Sequence, residues 1–205
     1  MTKEKQRIVQ KEISWGGRTL SLQYGKLAHQ ADSAILARYG DTMVLATVVS
    51  APPREDVDFF PLAVDYEERL YAAGRISTSR FIKREGKPRE DAILTGRLID
   101  RSIRPLFPKD YFNEVQVIIT VLSYDQENDQ DTAALIATSA AISTSPVPWN
   151  GPIAMAKVGY RDGNFILNPT KTDESFSDLL LVVSFNKDKA VMIEGEPKRS
   201  PKKWS

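Results

Sequence analysis

Val115-Gln-Val-Ile-Ile-Thr-Val-Leu122 and, after a polar loop, Asp131-Thr-Ala-Ala-Leu-Ile-Ala-Thr-Ser-Ala-Ala-Ile-Ser143 decide the architecture of this chain. The first stretch is too apolar for a strand with one wet face, so it belongs in the middle of a sheet. The second is rich in Ala, Ile and Leu and predicts a helix buried on more than one face. A central strand and an enclosed helix need other elements around them, and the flanking sequence supplies these.

Upstream, Glu12-Ile-Ser-Trp15 and Arg18-Thr-Leu-Ser-Leu-Gln-Tyr24 alternate apolar and polar residues around Gly16-Gly17, which predicts a hairpin. Residues 33–38 and 42–49 predict a second hairpin around Tyr39-Gly-Asp41, ended by Ala51-Pro-Pro53, and residues 61–66 a further short strand. The period then changes. Pro88 marks a helix start, Glu90 and Asp91 suit the positive end of its dipole, and Pro105 marks the stop. Downstream, residues 153–159 and 164–167 flank a turn at Arg161-Asp-Gly163, and residues 178–185 and 190–193 form a last hairpin around Asn186-Lys-Asp188. Many strands with two intervening helices predict an α+β (mixed α/β) sandwich.

The 205 residues suffice for one fair-sized core, and 41% hydrophobic with 27% charged residues describes a globular chain. Without cysteine there can be no disulfide, thiolate nucleophile or Cys-ligated zinc. His29 is the only histidine, read as a polar residue near a loop. No apolar run approaches the ~20 residues that span a bilayer, and the charged start leads into no signal segment. The reading is a cytoplasmic protein with no membrane partner.

Charge is unevenly spread. Residues 80–109 hold nine Lys/Arg against four Asp/Glu, and the last nine residues carry +4, whereas the whole chain is only +1. Such concentration attracts a polyanion. On a helix at ~100° per residue, Arg97, Arg101 and Arg104 fall within an arc of roughly 60°. Three guanidiniums on one stripe can meet successive phosphates, each through two parallel hydrogen bonds. Ala92, Ile99 and Ile103 lie on the opposite, core side, and Ile93 and Leu94 border the stripe. In the preceding loop, Phe81 can stack on a base, while Lys83 and Arg84 offer cations to the backbone. The competing interpretation pairs Arg97 with Asp100, or Arg101 with neighbouring acids, and leaves the loop simply solvated.

Phe59-Phe-Pro-Leu-Ala-Val-Asp-Tyr66, Tyr71-Ala-Ala-Gly-Arg-Ile76, Phe81-Ile-Lys-Arg-Glu-Gly86, Arg97-Leu-Ile-Asp-Arg-Ser-Ile-Arg-Pro-Leu-Phe107, Asn113-Glu-Val-Gln-Val117 and Asn150-Gly-Pro-Ile153 follow one another in this order. Together they resemble the first ribonuclease-PH-type domain of the bacterial polynucleotide phosphorylases (polyribonucleotide nucleotidyltransferases). The resemblance implies a ribonuclease-PH-like, ribosomal-S5-domain-2-like sandwich. It also implies a phosphate-dependent 3′-to-5′ exoribonuclease of mRNA degradation, trimeric and able to join degradosome components. The family's aromatic and basic channel loop falls on Phe81, Ile82, Lys83 and Arg84, with Ile82 replacing an aromatic and Lys83 an arginine. Its helix arginines fall on Arg97, Arg101 and Arg104, and Ser102 stands where proline is common. By this resemblance the RNA-binding residues are Phe81, Lys83, Arg84, Arg97, Arg101 and Arg104, and single-stranded RNA is the partner.

The resemblance places the catalytic aspartates, the serine-rich pocket for inorganic phosphate as co-substrate, and the Mg²⁺ or Mn²⁺ ligands in a second domain. No catalytic or metal residue is therefore expected here, and the isolated chain is expected to be inactive. Residues 1–196 are read as one domain. Residues 197–205 are read as a disordered basic tail outside the family pattern, from a prematurely ended reading frame or a cut boundary. Asp125, Glu127, Asp129 and Asp131 have a spacing that can ligate Mg²⁺, but the preferred reading is a polar loop whose last acid caps the helix from Asp131. Two further functions compete: a freestanding, non-catalytic RNA-binding module, and a small active nuclease built as a ring of single domains.

Overall fold

The computed structural model describes residues 8–53, 58–75, 87–187 and 189–197. The two hairpins of the N-terminal part form as their turns dictate: β1 (Val9–Trp15) with β2 (Arg18–Tyr24), and β3 (Ser33–Tyr39) with β4 (Thr42–Ala51). Gly16 and Gly17 both have positive φ, which suits a two-residue hairpin turn. β5 (Leu62–Glu68) and β6 (Glu114–Ser123) complete a six-stranded sheet of order β1-β2-β3-β4-β6-β5. All its pairs are antiparallel except β5 with β6.

β6 lies between two neighbours, as its apolar run predicts. Val115, Val117, Ile119 and Val121 are buried on one face, and Val44, Ala46 and Val48 of β4 are buried with them in the same core. The parallel β5–β6 pair needs a long crossover. That crossover holds a 3-10 turn at Leu70–Ala73, the helix α1 (Glu90–Ile103) and a second 3-10 turn at Arg104–Leu106.

The second sheet, of order β10-β9-β7-β8, is antiparallel throughout: β7 (Ala154–Arg161), β8 (Asn164–Leu167), β9 (Leu179–Asn186) and β10 (Lys189–Pro197). The helix α2 (Gln130–Thr144) packs against β3 and β4 of the first sheet and β7 of the second. Its residues Ala133, Ala134, Leu135, Ala137, Ala141 and Ile142 are fully enclosed. Small side chains let it fit between the two sheets, which is why its apolar residues go all the way round.

Two expectations are corrected. A third helix, α3 (Lys171–Phe176), follows β8; it is only six residues long and is held by a capping box in which Thr170 accepts from the Asp173 N–H and Asp173 accepts from the Thr170 N–H. The cap of α2 is Asp129 and not Asp131: the Asp129 carboxylate accepts from the Thr132 N–H at 2.8 Å and its hydroxyl at 2.7 Å. The helix thus begins one residue earlier, and Asp131 lies in its first turn.

Candidate functional site

Helix α1 is amphipathic. Ala92, Gly96, Ile99 and Ile103 turn inward, with Gly96 facing Val64 and Tyr66 of β5. Ile93 and Leu94 stay half exposed at the edge of the contact. Ser102 is buried and returns its hydroxyl to the Leu98 carbonyl at 2.8 Å, so serine sits in the helix without an unpaired polar atom.

Between α1 and β5 runs a groove of about 750 Å³ that holds Arg97, Arg101 and Arg104 together with Asp65, Glu67 and Asp100. The stripe predicted from spacing is therefore a real neighbourhood, but its members differ. Arg104 takes both oxygens of Asp100, at 2.6 and 3.0 Å, and donates to the Phe60 and Leu62 carbonyls at 3.3 and 3.1 Å. Its guanidinium also stands over the Phe60 ring at 5.8 Å. This arginine braces the end of α1 to the approach of β5. Asp100 is claimed by the residue four positions later, the spacing at which helix side chains face each other. The alternative pairing of Arg97 with Asp100 does not form. Arg97 and Arg101 are exposed and make no ion pair or hydrogen bond among the described residues. Phe81, Lys83 and Arg84 lie outside the described residues.

A second concentration of charge lies at the base of α2, and the sequence reading passed over its centre. Lys157 of β7 is only 8% exposed and faces Asp129 at 2.5 Å, Asp131 at 3.5 Å and Glu174 at 3.7 Å. Glu174 is also paired with Lys171 at 2.9 Å. The signal was present: Lys157 shares a strand face with Met155, two residues away, and that face points into the core.

Burial alone would raise the Asp129 carboxyl, but Lys157 and the Thr132 hydrogen bonds hold it below its usual value. Asp131 goes the other way. Burial and the negative charge of Asp129 push it up to about 6, against the pull of Lys157. Its side chain keeps 22% of its exposure, so water tempers that rise. Burial lowers the Lys157 ammonium, yet Asp129 and Asp131 outweigh it and hold the proton more tightly than usual. Thr95 of α1 donates to Asp131 at 3.2 Å and so joins the arginine helix to this nest.

These contacts also test the acidic loop as a metal site. Asp125 accepts from the Asp41, Glu127 and Asn128 N–H groups, the Asn128 amide and the Thr42 hydroxyl. Burial would raise its carboxyl, but these bonds, led by those from Asn128, hold it at about 2. Gly40 is part of the same clasp, because a Cβ there would lie 2.1 Å from the Asn128 amide nitrogen. Asp129 is committed to Thr132 and Lys157. Among the described residues no group of three or more His, Asp or Glu is arranged to hold a metal ion. The donor set does not fit Mg²⁺ or Mn²⁺.

Comparison with known proteins agrees with the fold. Residues 16–148 match the 3′ exoribonuclease family, domain 1, and residues 151–203 match its domain 2. The polyribonucleotide nucleotidyltransferase of Rhodospirillum centenum is 55% identical over 196 residues, 95% of this chain and 28% of the relative. That of Xanthobacter autotrophicus is 53% identical over 195 residues, 95% of this chain and 27% of the relative. The chain thus spans little more than a quarter of the length of these curated relatives. Among solved structures, rice Rrp46 superposes with a TM-score of 0.72 at 16% identity, covering 97% of this chain and 85% of that one. A chain of the Archaeoglobus fulgidus exosome, solved with RNA bound to the active site, superposes at 0.65 and 18% identity, covering 98% and 81%. The fold is ribonuclease-PH-like, and the chain belongs to the 3′ exoribonuclease family.

Proposed function

We propose that this chain is the RNA-gripping portion of a phosphorolytic 3′-to-5′ exoribonuclease, a polyribonucleotide nucleotidyltransferase acting in cytoplasmic mRNA degradation. In the reaction, an oxygen of inorganic phosphate attacks the terminal phosphodiester phosphorus. The bond to the 3′ oxygen of the penultimate ribose breaks, leaving a nucleoside diphosphate and an RNA one residue shorter. Metal-dependent chemistry belongs to a second copy of this whole fold. In the acidic loop, Asp125 is held by the Thr42, Glu127 and Asn128 hydrogen bonds and Asp129 by Thr132 and Lys157, which favours a structural role for that loop. Trimer formation and degradosome contacts belong to the longer protein.

The observation that carries this reading is the pair Arg97 and Arg101. Both are exposed, face one groove and lack a partner among the described residues, in a chain 53–55% identical to polyribonucleotide nucleotidyltransferases over nearly its whole length. Guanidiniums with no carboxylate to satisfy them keep their forks open for phosphate. Phe81, Lys83 and Arg84 extend the same grip, and Arg104 contributes by holding the helix in place.

Two measurements test it. With single-stranded poly(A), phosphate and Mg²⁺, the purified chain should release no nucleoside diphosphate; release would transfer the catalytic role to this chain. Binding to the same strand should weaken with salt, with log K falling by roughly 0.7 per phosphate contact for each tenfold rise in salt. Salt-independent binding would remove the RNA grip.

A further inference from the structure

The chain's more strongly basic hollow is one the arginine stripe does not line. The α1–β5 groove holds three arginines against three carboxylates. A separate cavity of about 370 Å³ lies under the Leu70–Ala73 turn and holds Arg69, Arg75 and Arg89 against a single carboxylate, Glu68. Glu68 is itself occupied, accepting from the Gln130 amide at 2.6 Å. Arg69 is held by Glu67, outside the cavity. Arg89 meets Asp91 only at 3.5 Å, with both side chains more than 70% exposed, and such a pair contributes little. The Arg75 guanidinium makes no hydrogen bond or ion pair among the described residues.

The frame beneath these arginines is fixed. The Arg75 N–H donates to the Leu70 carbonyl at 3.0 Å, and Gly74, in the left-handed conformation, closes the turn by donating to Tyr71 at 3.0 Å. The Tyr124 N–H donates to the Ala72 carbonyl at 2.9 Å, which ties the turn to the end of β6. Tyr124 and Gln126 complete the rim, so neutral donors stand beside the cations.

We propose that this cavity is a phosphate-group subsite in which Arg75 and Arg89 bind the anion. Its natural occupant is a backbone phosphate of the same RNA strand that crosses the α1–β5 groove, an assignment that rests on the functional reading above. Arg75 and Arg89 flank in sequence the segment that contains Phe81, Lys83 and Arg84, the residues the functional reading assigns to the same strand.

The test is oligo(A) binding to the full chain by fluorescence anisotropy across a salt series. Arg75→Ala with Arg89→Ala should make the slope of log K against log salt shallower by about 1.4, and Arg75→Lys with Arg89→Lys should keep it. Both side chains are exposed and only the backbone of these residues takes part in the hydrogen-bonded frame, which alanine keeps, so the urea midpoint should not move. If the slope is unchanged in the double alanine variant but falls in Arg97→Ala with Arg101→Ala, the subsite is wrong and the functional reading stands. If neither variant changes the slope, both are wrong. Equilibrium dialysis with inorganic phosphate alone separates the sources: binding that vanishes in the double alanine variant, with an unchanged RNA slope, assigns the site to free phosphate and overturns the RNA assignment.

Discussion

The Lys157 nest and the arginine groove of α1 both concentrate charge, and they are joined by one hydrogen bond from Thr95 to Asp131, yet the two serve opposite ends. In the nest, one buried cation meets three carboxylates, and every distance is set by the packing of α2, α3 and β7. In the groove, three arginines face water, and only Arg104 is fastened. Burial makes the difference. A charge taken out of water must be paired or the fold fails, whereas a charge left in water is available to a ligand.

The largest expected effect comes from breaking the nest. Lys157→Met leaves Asp129, Asp131 and Glu174 without their common cation and should cost about 3–5 kcal/mol in urea unfolding. A loss below about 1 kcal/mol would mean that the nest is not a structural centre.

A smaller effect, of opposite sign, is expected at Asp131. Its folded carboxyl is raised to about 6, so the folded state binds a proton that the unfolded state has already released. The stability from that proton is present below the usual carboxylate range of about 4 and is lost as pH rises towards 6. Asp131→Asn should therefore remove this decline and stabilise the chain by about 1–2 kcal/mol at pH 7, because the amide oxygen still accepts from Thr95. An equal loss of stability at all pH values would contradict the assignment. Asp125, held at about 2, acts in the other sense: its contribution is present at neutral pH and is lost as pH falls towards 2.

Within the groove the three arginines should separate. Arg104→Ala should destabilise by about 1–2 kcal/mol, since it releases two carbonyls and a carboxylate, and should leave the salt dependence of RNA binding almost unchanged. Arg97→Ala with Arg101→Ala should do the reverse, changing stability by less than about 0.5 kcal/mol while making the salt slope shallower by about 1.4. Equal behaviour of the three would erase the distinction between brace and grip.

Much of the fold was legible because its signals are local. Gly16-Gly17 fixed a hairpin, the run 115–122 fixed an interior strand, and Pro88 and Pro105 bracketed α1 within two residues at either end. The capping box of α3 was also written, as Thr170 and Asp173, but six residues give too little periodicity to reveal a helix. The candidate site was legible only as spacing. Four residues separate Arg97 from Arg101 and three separate Arg101 from Arg104, which put them on one stripe. That pattern does not say which of them β5 supplies with carbonyls.

Composition and periodicity by themselves determined a layered α+β fold, one arginine-bearing helix and an enclosed second helix, because hydrophobic period and turn chemistry act over a few residues. Tertiary structure decided which charges are free. It folded Phe60 and Leu62 against Arg104, brought Asp129, Asp131 and Glu174 around Lys157, and set Arg75 and Arg89 around one hollow. Electrostatic partners are chosen by distance in space and by the water between them, and neither is a property of sequence separation.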